Sequence, residues 1–174
     1  MPSRRMAGAV VAGVMAGALV GAVVTYVSVA KRTASRAEQL GRQAAVHSMG
    51  HDVMPFSLEH TIHVFEMTLS GGIQDVVARD EADTAQVRLI RQHLTRESMR
   101  FSAGDFSDPA TLHGQGMPGI RELARGVGRF TVAYRELPAG ARITFTSEDP
   151  ILVTAIHRWF GAQLSDHGPD ATYR

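Results

Sequence analysis

The sequence predicts an α+β domain over residues 55–170, in which a β-hairpin followed by a long helix occurs twice. Two pairs of strand-like segments are each joined by a turn that contains glycine, and an amphipathic helical segment follows each pair. A shift of 69 residues also places Phe65 on Tyr134 and Gly71 on Gly140. This ββα-ββα pattern predicts a four-stranded antiparallel sheet with the two long helices covering one face.

An uncharged segment, residues 6–30, precedes the domain and follows Arg4 and Arg5. At about 1.5 Å per residue, a helix over this segment exceeds the roughly 30 Å of a bilayer core. We therefore expect residues 1–30 to be a transmembrane anchor or an uncleaved signal. Small residues at positions 28–30 could also serve a signal peptidase, so a cleaved signal peptide is the alternative.

Glycines recur every fourth residue in the predicted anchor, at Gly13, Gly17 and Gly21. They would share one helix face, as in small-residue motifs through which membrane helices associate. The pattern predicts a homo-oligomer through the anchor, although a segment rich in Gly and Ala produces such spacing easily.

The charges that flank the anchor do not orient it, because both sides are basic. Two arginines precede the uncharged segment, and four basic residues follow it: Lys31, Arg32, Arg36 and Arg42. We place the domain on the extracytoplasmic side because of its ligand chemistry. The chain has no cysteine, which excludes disulfides, thiolate zinc sites and cysteine nucleophiles.

A segment rich in His and Met, residues 47–54, closes a polar linker over residues 31–54. Imidazole nitrogen and thioether sulfur are ligands that copper prefers. In an extended chain, His47, Met49 and His51 would share one face. We expect His51, Asp52, Met54 and His63 to form a first metal site; the alternative is a polar linker without a ligand.

The first hairpin is predicted over residues 61–69 and 73–78, and the second over residues 129–137 and 141–147. Helices are predicted from about residue 81 to residue 102, with Asp80 or Asp83 as N-cap, and from Asp149-Pro150 to Gly168. Between them, residues 105–119 are predicted as a loop with a short turn at Asp108, and residues 120–126 as a brief helix. Residues 171–174 are predicted as a tail.

Further candidate metal ligands lie in the domain itself. His93 and Glu97 are four residues apart, so they would share a helix face. His113 and Met117 lie in a glycine-rich loop and could complete the first site with His167 or form another. Asp166 could orient the imidazole of His167. His157 is a further candidate, although a hydrogen-bonded core histidine is the simpler interpretation. The alternatives for the other candidates are a solvent-exposed contact for the pair on the first helix, a turn with chance residues for the glycine-rich loop, and a favourable charge at the helix end for His167.

The domain also resembles a family of small bacterial exported or membrane-anchored proteins that are rich in histidine and often labelled aspartate carbamoyltransferase. The matching segments are His51-Asp52, Pro55-Phe56, Thr61-x-His63-x-Phe65, Gly71-Gly72-x-Gln74, Ile90-Arg91-x-His93-Leu94, Gly104-Asp105-Phe106, His113-Gly114, Met117-Pro118-Gly119, Asp149-Pro150, His157-x-Trp159-Phe160 and Gln163-Leu164-x-Asp166-His167-Gly168. The resemblance implies a metal-related role in copper handling. It marks six shared histidines: His51, His63, His93, His113, His157 and His167.

The enzyme label of that family is not supported by the residues of this chain. The Ser-Thr-Arg-Thr loop that binds carbamoyl phosphate is absent, and so are the P-loop, GxGxxG, GxSxG and HExxH motifs. The net charge of +1 shows no basic excess for nucleic acid. The leading hypothesis is a membrane-anchored, extracytoplasmic metal-binding protein for copper, with zinc as second choice, in metal tolerance or delivery. The alternatives are a small hydrolase or group transferase with a His/Asp cleft and a non-catalytic interaction module.

Overall fold

A computed structural model describes residues 4–174, with side chains described from residue 25 onward. The chain divides into two compact units, one ending at Gly41 and one comprising Arg42–Arg174. The second unit carries the sheet and every candidate ligand named above. It is therefore the unit that contains the site.

The predicted membrane anchor falls mostly on residues 1–24, whose side chains lie outside the described part of the chain. The same holds for the association motif of Gly13, Gly17 and Gly21. Among the residues that the structure does describe, no helix has an apolar stretch long enough to cross a membrane. Anchoring and association therefore stay predictions.

Helix α1 (Arg4–Val53) continues through the segment that was predicted as a linker. Residues 31–49 are rich in Ala, Arg and Gln, which favour helix, and no proline occurs between that segment and Pro55. The prediction that His47, Met49 and His51 share a face in an extended chain is therefore wrong. His47 and His51 share a face instead, because they are one helical turn apart.

The sheet has five strands and is mixed, whereas four antiparallel strands were predicted. Its spatial order is β3-β4-β2-β1-β5. The strands are β1 (Thr61–Thr68), β2 (Gly71–Ala78), β3 (Thr131–Leu137), β4 (Gly140–Thr146) and β5 (Ala171–Tyr173). The predicted tail forms β5, which pairs in parallel with β1. A three-residue strand has too short a pattern of alternation to be recognised in a sequence.

The two hairpins have the same register when residue numbers are shifted by 69. Phe65 pairs with Gln74 in the first hairpin, and Tyr134 pairs with Ile143 in the second. The hairpins meet through the antiparallel pair of β2 and β4, where Gln74 lies opposite Ile143. The two hairpins thus pair with the same offset, and a duplication of the whole hairpin-helix unit stays a prediction.

Two long helices follow the hairpins, as predicted: α2 (Thr84–Ser102) and α5 (Pro150–His167). Asp83 rather than Asp80 caps α2, since its side chain accepts a hydrogen bond from the Gln86 backbone N–H. Asp149 caps α5 through the N–H of Ile151. The intervening segment forms two short helices, α3 (Ser107–His113) and α4 (Ile120–Arg125). Helix α3 replaces part of the predicted loop.

Both long helices pack on the same face of the sheet. Trp159 of α5 is fully buried, and its ring meets Phe101 of α2 and Phe145 of β4 at centroid distances of 5.4 Å. Phe160 packs on Phe65 of β1 at 5.0 Å. These contacts fill one half of the interface between helices and sheet with aromatic side chains. The polar candidates lie in the remaining space, beside this core.

Candidate functional site

A cavity of about 50 Å³ lies between the sheet, the end of α1 and helices α2, α3 and α5. Its volume suits an ion or one to two water molecules rather than an organic substrate. The polar groups that line it and matter most are His63, His93, Glu97, His113, Gln163 and His167. All six are buried.

Each histidine reaches the cavity for a local reason. His63 and Phe65 are two residues apart on β1, so both side chains point to the sheet face that the helices cover. His93 and Glu97 lie one turn apart on the buried side of α2. His113 and His167 are the last residues of α3 and α5, so the two helix ends bring them together.

Three of the imidazoles form a continuous group, which we call the histidine cluster: His63, His113 and His167. The rings of His63 and His167 are stacked, with centroids 4.7 Å apart. The rings of His113 and His167 meet edge to face at 4.9 Å. His93 lies nearby on the cavity wall, where its ring packs against Phe56.

Hydrogen bonds define the tautomers of two histidines. A guanidinium can only donate, so Arg96 donates a hydrogen bond to Nδ1 of His93 at 2.9 Å. The lone pair of His93 Nδ1 is therefore occupied. His113 Nδ1 lies 3.1 Å from the Asp166 carboxylate, which only accepts. Nδ1 of His113 therefore carries the proton, and its Nε2 keeps a free lone pair. The sequence suggested that Asp166 orients His167; the structure shows that it orients His113.

Burial keeps the four imidazoles neutral. It lowers the pKa of His93 and of His113 to about 4, and of His167 to about 3. The pKa of His63 is also held well below its usual range, first by burial and then by repulsion from the other three histidines. Since the pKa of His113 is low, its contact with Asp166 is a neutral imidazole donating to a carboxylate, not an ion pair.

The carboxyl groups shift the opposite way. Burial, together with Asp108, raises the pKa of Glu97 to about 7. Burial also raises the pKa of Asp166, although Arg42 opposes this shift. Near neutral pH, Glu97 therefore exchanges a proton in a cavity whose imidazoles are uncharged.

Several buried polar atoms around the cavity have no hydrogen-bond partner in the described part of the chain. They include Nδ1 of His63, Nδ1 of His167, Oε1 of Gln74 and Nε2 of Gln163. A buried polar atom without a partner costs about 1 to 3 kcal/mol. These atoms leave hydrogen-bonding or ligand capacity around one cavity that a bound ion or ordered water could satisfy.

The structure brings together only part of the predicted ligand set. Met54, His63, His93, His113 and His167 line the cavity. His51 and Asp52 are exposed, because α1 stays helical to Val53 and directs them to solvent. Met117 is buried in the hydrophobic core and does not line the cavity.

His157 also lies away from the cavity. Its Nε2 donates to the backbone carbonyls of Thr68 at 3.0 Å and Gly71 at 2.9 Å, which close the turn of the first hairpin. Helix α5 is continuous from Pro150 to His167, so ten residues of helix separate His157 from His167 by about 15 Å. The simpler interpretation of His157, a hydrogen-bonded structural histidine, fits its contacts.

We expect His157→Ala to lower the free energy of unfolding by about 1 to 2 kcal/mol, because two carbonyls lose their donor. Metal affinity should stay unchanged. Chemical denaturation and a metal titration of the same preparation would measure both quantities. His157→Gln keeps a donor and should lose less stability. A folded His157→Ala protein that no longer binds metal would show that His157 is a ligand.

Three polar residues of the cavity were missed as site candidates: Asp108, which was placed only in a turn, and two glutamines, Gln74 and Gln163. Both glutamines occupy positions that the pattern assigns to the buried face, on β2 and α5. A glutamine among apolar residues on a buried face is itself a signal, because its amide needs partners. That signal could have identified both glutamines.

In the part of the chain with described side chains, no three His, Cys, Asp or Glu residues are already arranged as a metal site. The rings of the histidine cluster are stacked or edge to face, so their nitrogens do not converge on one point. Ligation by all three would require rotation about side-chain bonds.

Comparisons with protein-family models, with curated proteins and with solved structures found no match to this chain. The family resemblance drawn from the sequence motifs therefore stays a prediction, and a function can be inferred only from the geometry of the site and the residues that form it.

Proposed function

We propose that the cavity binds one transition-metal ion through the histidine cluster. The observation that carries the proposal is the pair of buried, unpartnered nitrogens, Nδ1 of His63 and Nδ1 of His167, beside the lone pair of His113 Nε2. Neutral imidazole is the form that binds metals. Because burial keeps these rings neutral, binding would not require any of them to lose a proton.

Copper is the first choice of metal, as Cu(I), and zinc is the second. Imidazole suits both ions, whereas a thioether favours the softer Cu(I). Met54 lines the same cavity and can supply that thioether. His93 is a weaker ligand candidate than the cluster, because Arg96 occupies its Nδ1 lone pair.

The cellular part of the proposal follows the sequence. We propose a membrane-anchored protein whose domain lies on the extracytoplasmic side and which acts in metal tolerance or delivery. The lack of cysteine and the uncharged N-terminal segment support this location. The glycine motif of that segment supports association into a homo-oligomer.

A competition titration would test metal binding. The full-length chain, with detergent present, is titrated anaerobically with Cu(I) against a chromophoric chelator, and with Zn(II) in parallel. We expect one tightly bound Cu(I) per chain, with binding weakened at least about tenfold in His167→Gln and His63→Gln. His157→Gln is the matched control, since it alters a histidine of the same helix outside the cavity. Equal affinity of His167→Gln and His157→Gln would reject the proposal.

One observation favours a second candidate, an enzyme that uses acid–base chemistry. Glu97, with a pKa of about 7, could give and take a proton at neutral pH. The small volume of the cavity, about 50 Å³, limits its substrate to a molecule of a few atoms. Glu97→Gln would abolish such turnover but leave Cu(I) binding by the histidine cluster, so this variant separates the two functions.

A further inference from the structure

A second group of metal-binding side chains lies on the surface of α1. His47 and His51 are one helical turn apart, and their ring centroids are 6.4 Å apart with an interplanar angle of 80°. His51 is exposed, and the side chain of His47 is 39% exposed. Two imidazoles with this helical spacing can chelate one ion without a change of backbone.

Asp170 fixes the tautomer and the orientation of the His47 imidazole. Its Oδ2 lies 2.7 Å from Nδ1 of His47, and a carboxylate only accepts, so Nδ1–H donates to it. The proton is thereby held on Nδ1, which leaves the lone pair on Nε2. A carboxylate behind a histidine in this way fixes the tautomer and the orientation of a metal-binding imidazole. The Asp170 side chain is only 11% exposed, on the short turn after α5, so its position is well defined.

We propose that His47 and His51 form an exposed site for a divalent cation of borderline softness, such as Cu(II), Zn(II) or Ni(II). Nε2 of His47 and one ring nitrogen of His51 bind the ion, and water completes its coordination. Asp170 is a positioning residue that acts through His47. The site has two protein ligands, so it differs in kind from a closed structural site, and its ion exchanges readily with solvent.

This site does not depend on the proposed function of the cavity. Its ligands lie on the surface of α1 and need no rearrangement of buried rings. The proposed surface site also gives a role to the His47–Asp170 pair and to the neighbouring His51, which take no part in the cavity. The cavity suits a soft ion enclosed by protein, whereas this surface pair suits a divalent ion with bound water.

The test follows histidine ring signals by NMR in the full-length, ¹⁵N-labelled chain with detergent present. Cu(II) is added well below one equivalent, because a paramagnetic ion broadens the signals of its ligands first. We expect the rings of His47 and His51 to broaden before those of the histidine cluster. Broadening of the cluster alone would place the ion in the cavity and overturn this proposal.

Variants give the second arm of the test, with Zn(II) affinity as readout. His51→Ala should lose the exposed site, and Asp170→Asn should weaken it by about tenfold. His60→Ala is the matched control, since His60 is also exposed beside a carboxylate, 3.7 Å from Asp83, but precedes β1 and is not on a helix. If His51→Ala binds the same number of Zn(II) ions, with the same affinities, as His60→Ala does, the proposal is wrong, whatever the cavity binds.

Discussion

Acidification from pH 7.5 to pH 5 is expected to lower the free energy of unfolding by several kcal/mol in the metal-free protein. The buried imidazoles of His93, His113 and His167 take up protons at about pH 4 or below in the folded state, whereas unfolded histidines do so near 6.5. Between these values the unfolded chain binds more protons, so stability falls as the pH falls. Each of the three histidines lowers the free energy of unfolding by about 2 kcal/mol at pH 5 relative to pH 7.5.

The carboxyl groups oppose this trend. The pKa of Glu97 is raised, so the folded state binds its proton at a higher pH than the unfolded state does. Asp166 acts in the same direction. Burial lowers the pKa of all four imidazoles in the cavity, so acidification destabilises the fold through four groups. Only two carboxyl groups stabilise it, and the net effect is therefore a loss of stability.

Urea denaturation at a series of pH values would measure this dependence. His93→Gln is the informative comparison, since it removes one buried imidazole and keeps a polar side chain. The free energy of unfolding of this variant should fall less steeply with acidification, because its unfolded state takes up about one proton fewer. A free energy of unfolding that stays constant from pH 7.5 to pH 5 would show that the histidines are not buried in neutral form.

Gly119→Ala is expected to lower the free energy of unfolding by about 4 kcal/mol. Gly119 has a φ of +86°, a left-handed conformation that glycine adopts without strain. A Cβ at this position would lie 2.1 Å from the carbonyl oxygen of Ala155 on α5. Backbone would have to move, and α5 carries His167 at its end.

Two neighbouring glycines provide matched controls. Gly114 has a φ of +93° but open space where a Cβ would stand, so Gly114→Ala should show the cost of strain alone, about 1 to 3 kcal/mol. Gly116 has neither strain nor a close neighbour, and Gly116→Ala should change stability by less than about 0.5 kcal/mol. Thermal or urea denaturation of the three variants would give the order. Equal losses for Gly114 and Gly119 would contradict the close packing against α5.

The elements with strong local patterns could be predicted from the sequence. The hairpins, the cap at Asp149 and the helix over residues 150–167 follow from alternation, turn glycines and capping side chains. Helix α3 was predicted as a loop. It begins after Asp105, whose carboxylate accepts from the backbone N–H of Ser107, and such a short helix has too few residues for a periodic signal.

The candidate site could be predicted only in part. His63, His93, His113 and His167 were candidates, but ligand chemistry alone could not tell them from His157, which ties a hairpin turn. Nor could it show that His51 faces solvent, because the end of a helix is set by the first proline and by packing. Which side chains meet depends on the tertiary pairing of β2 with β4 and on how α3 and α5 end side by side. Local sequence patterns do not encode these contacts.

The pairing of β2 with β4 has a consequence for how the protein folds. Each hairpin joins neighbours in the chain, whereas the contact of Gln74 with Ile143 must close a loop of about seventy residues, which is slow. The cavity receives side chains from both halves, so neither hairpin alone can form it. If the cavity holds an ion, as proposed, the ion would disfavour every opening that breaks the site, global unfolding included.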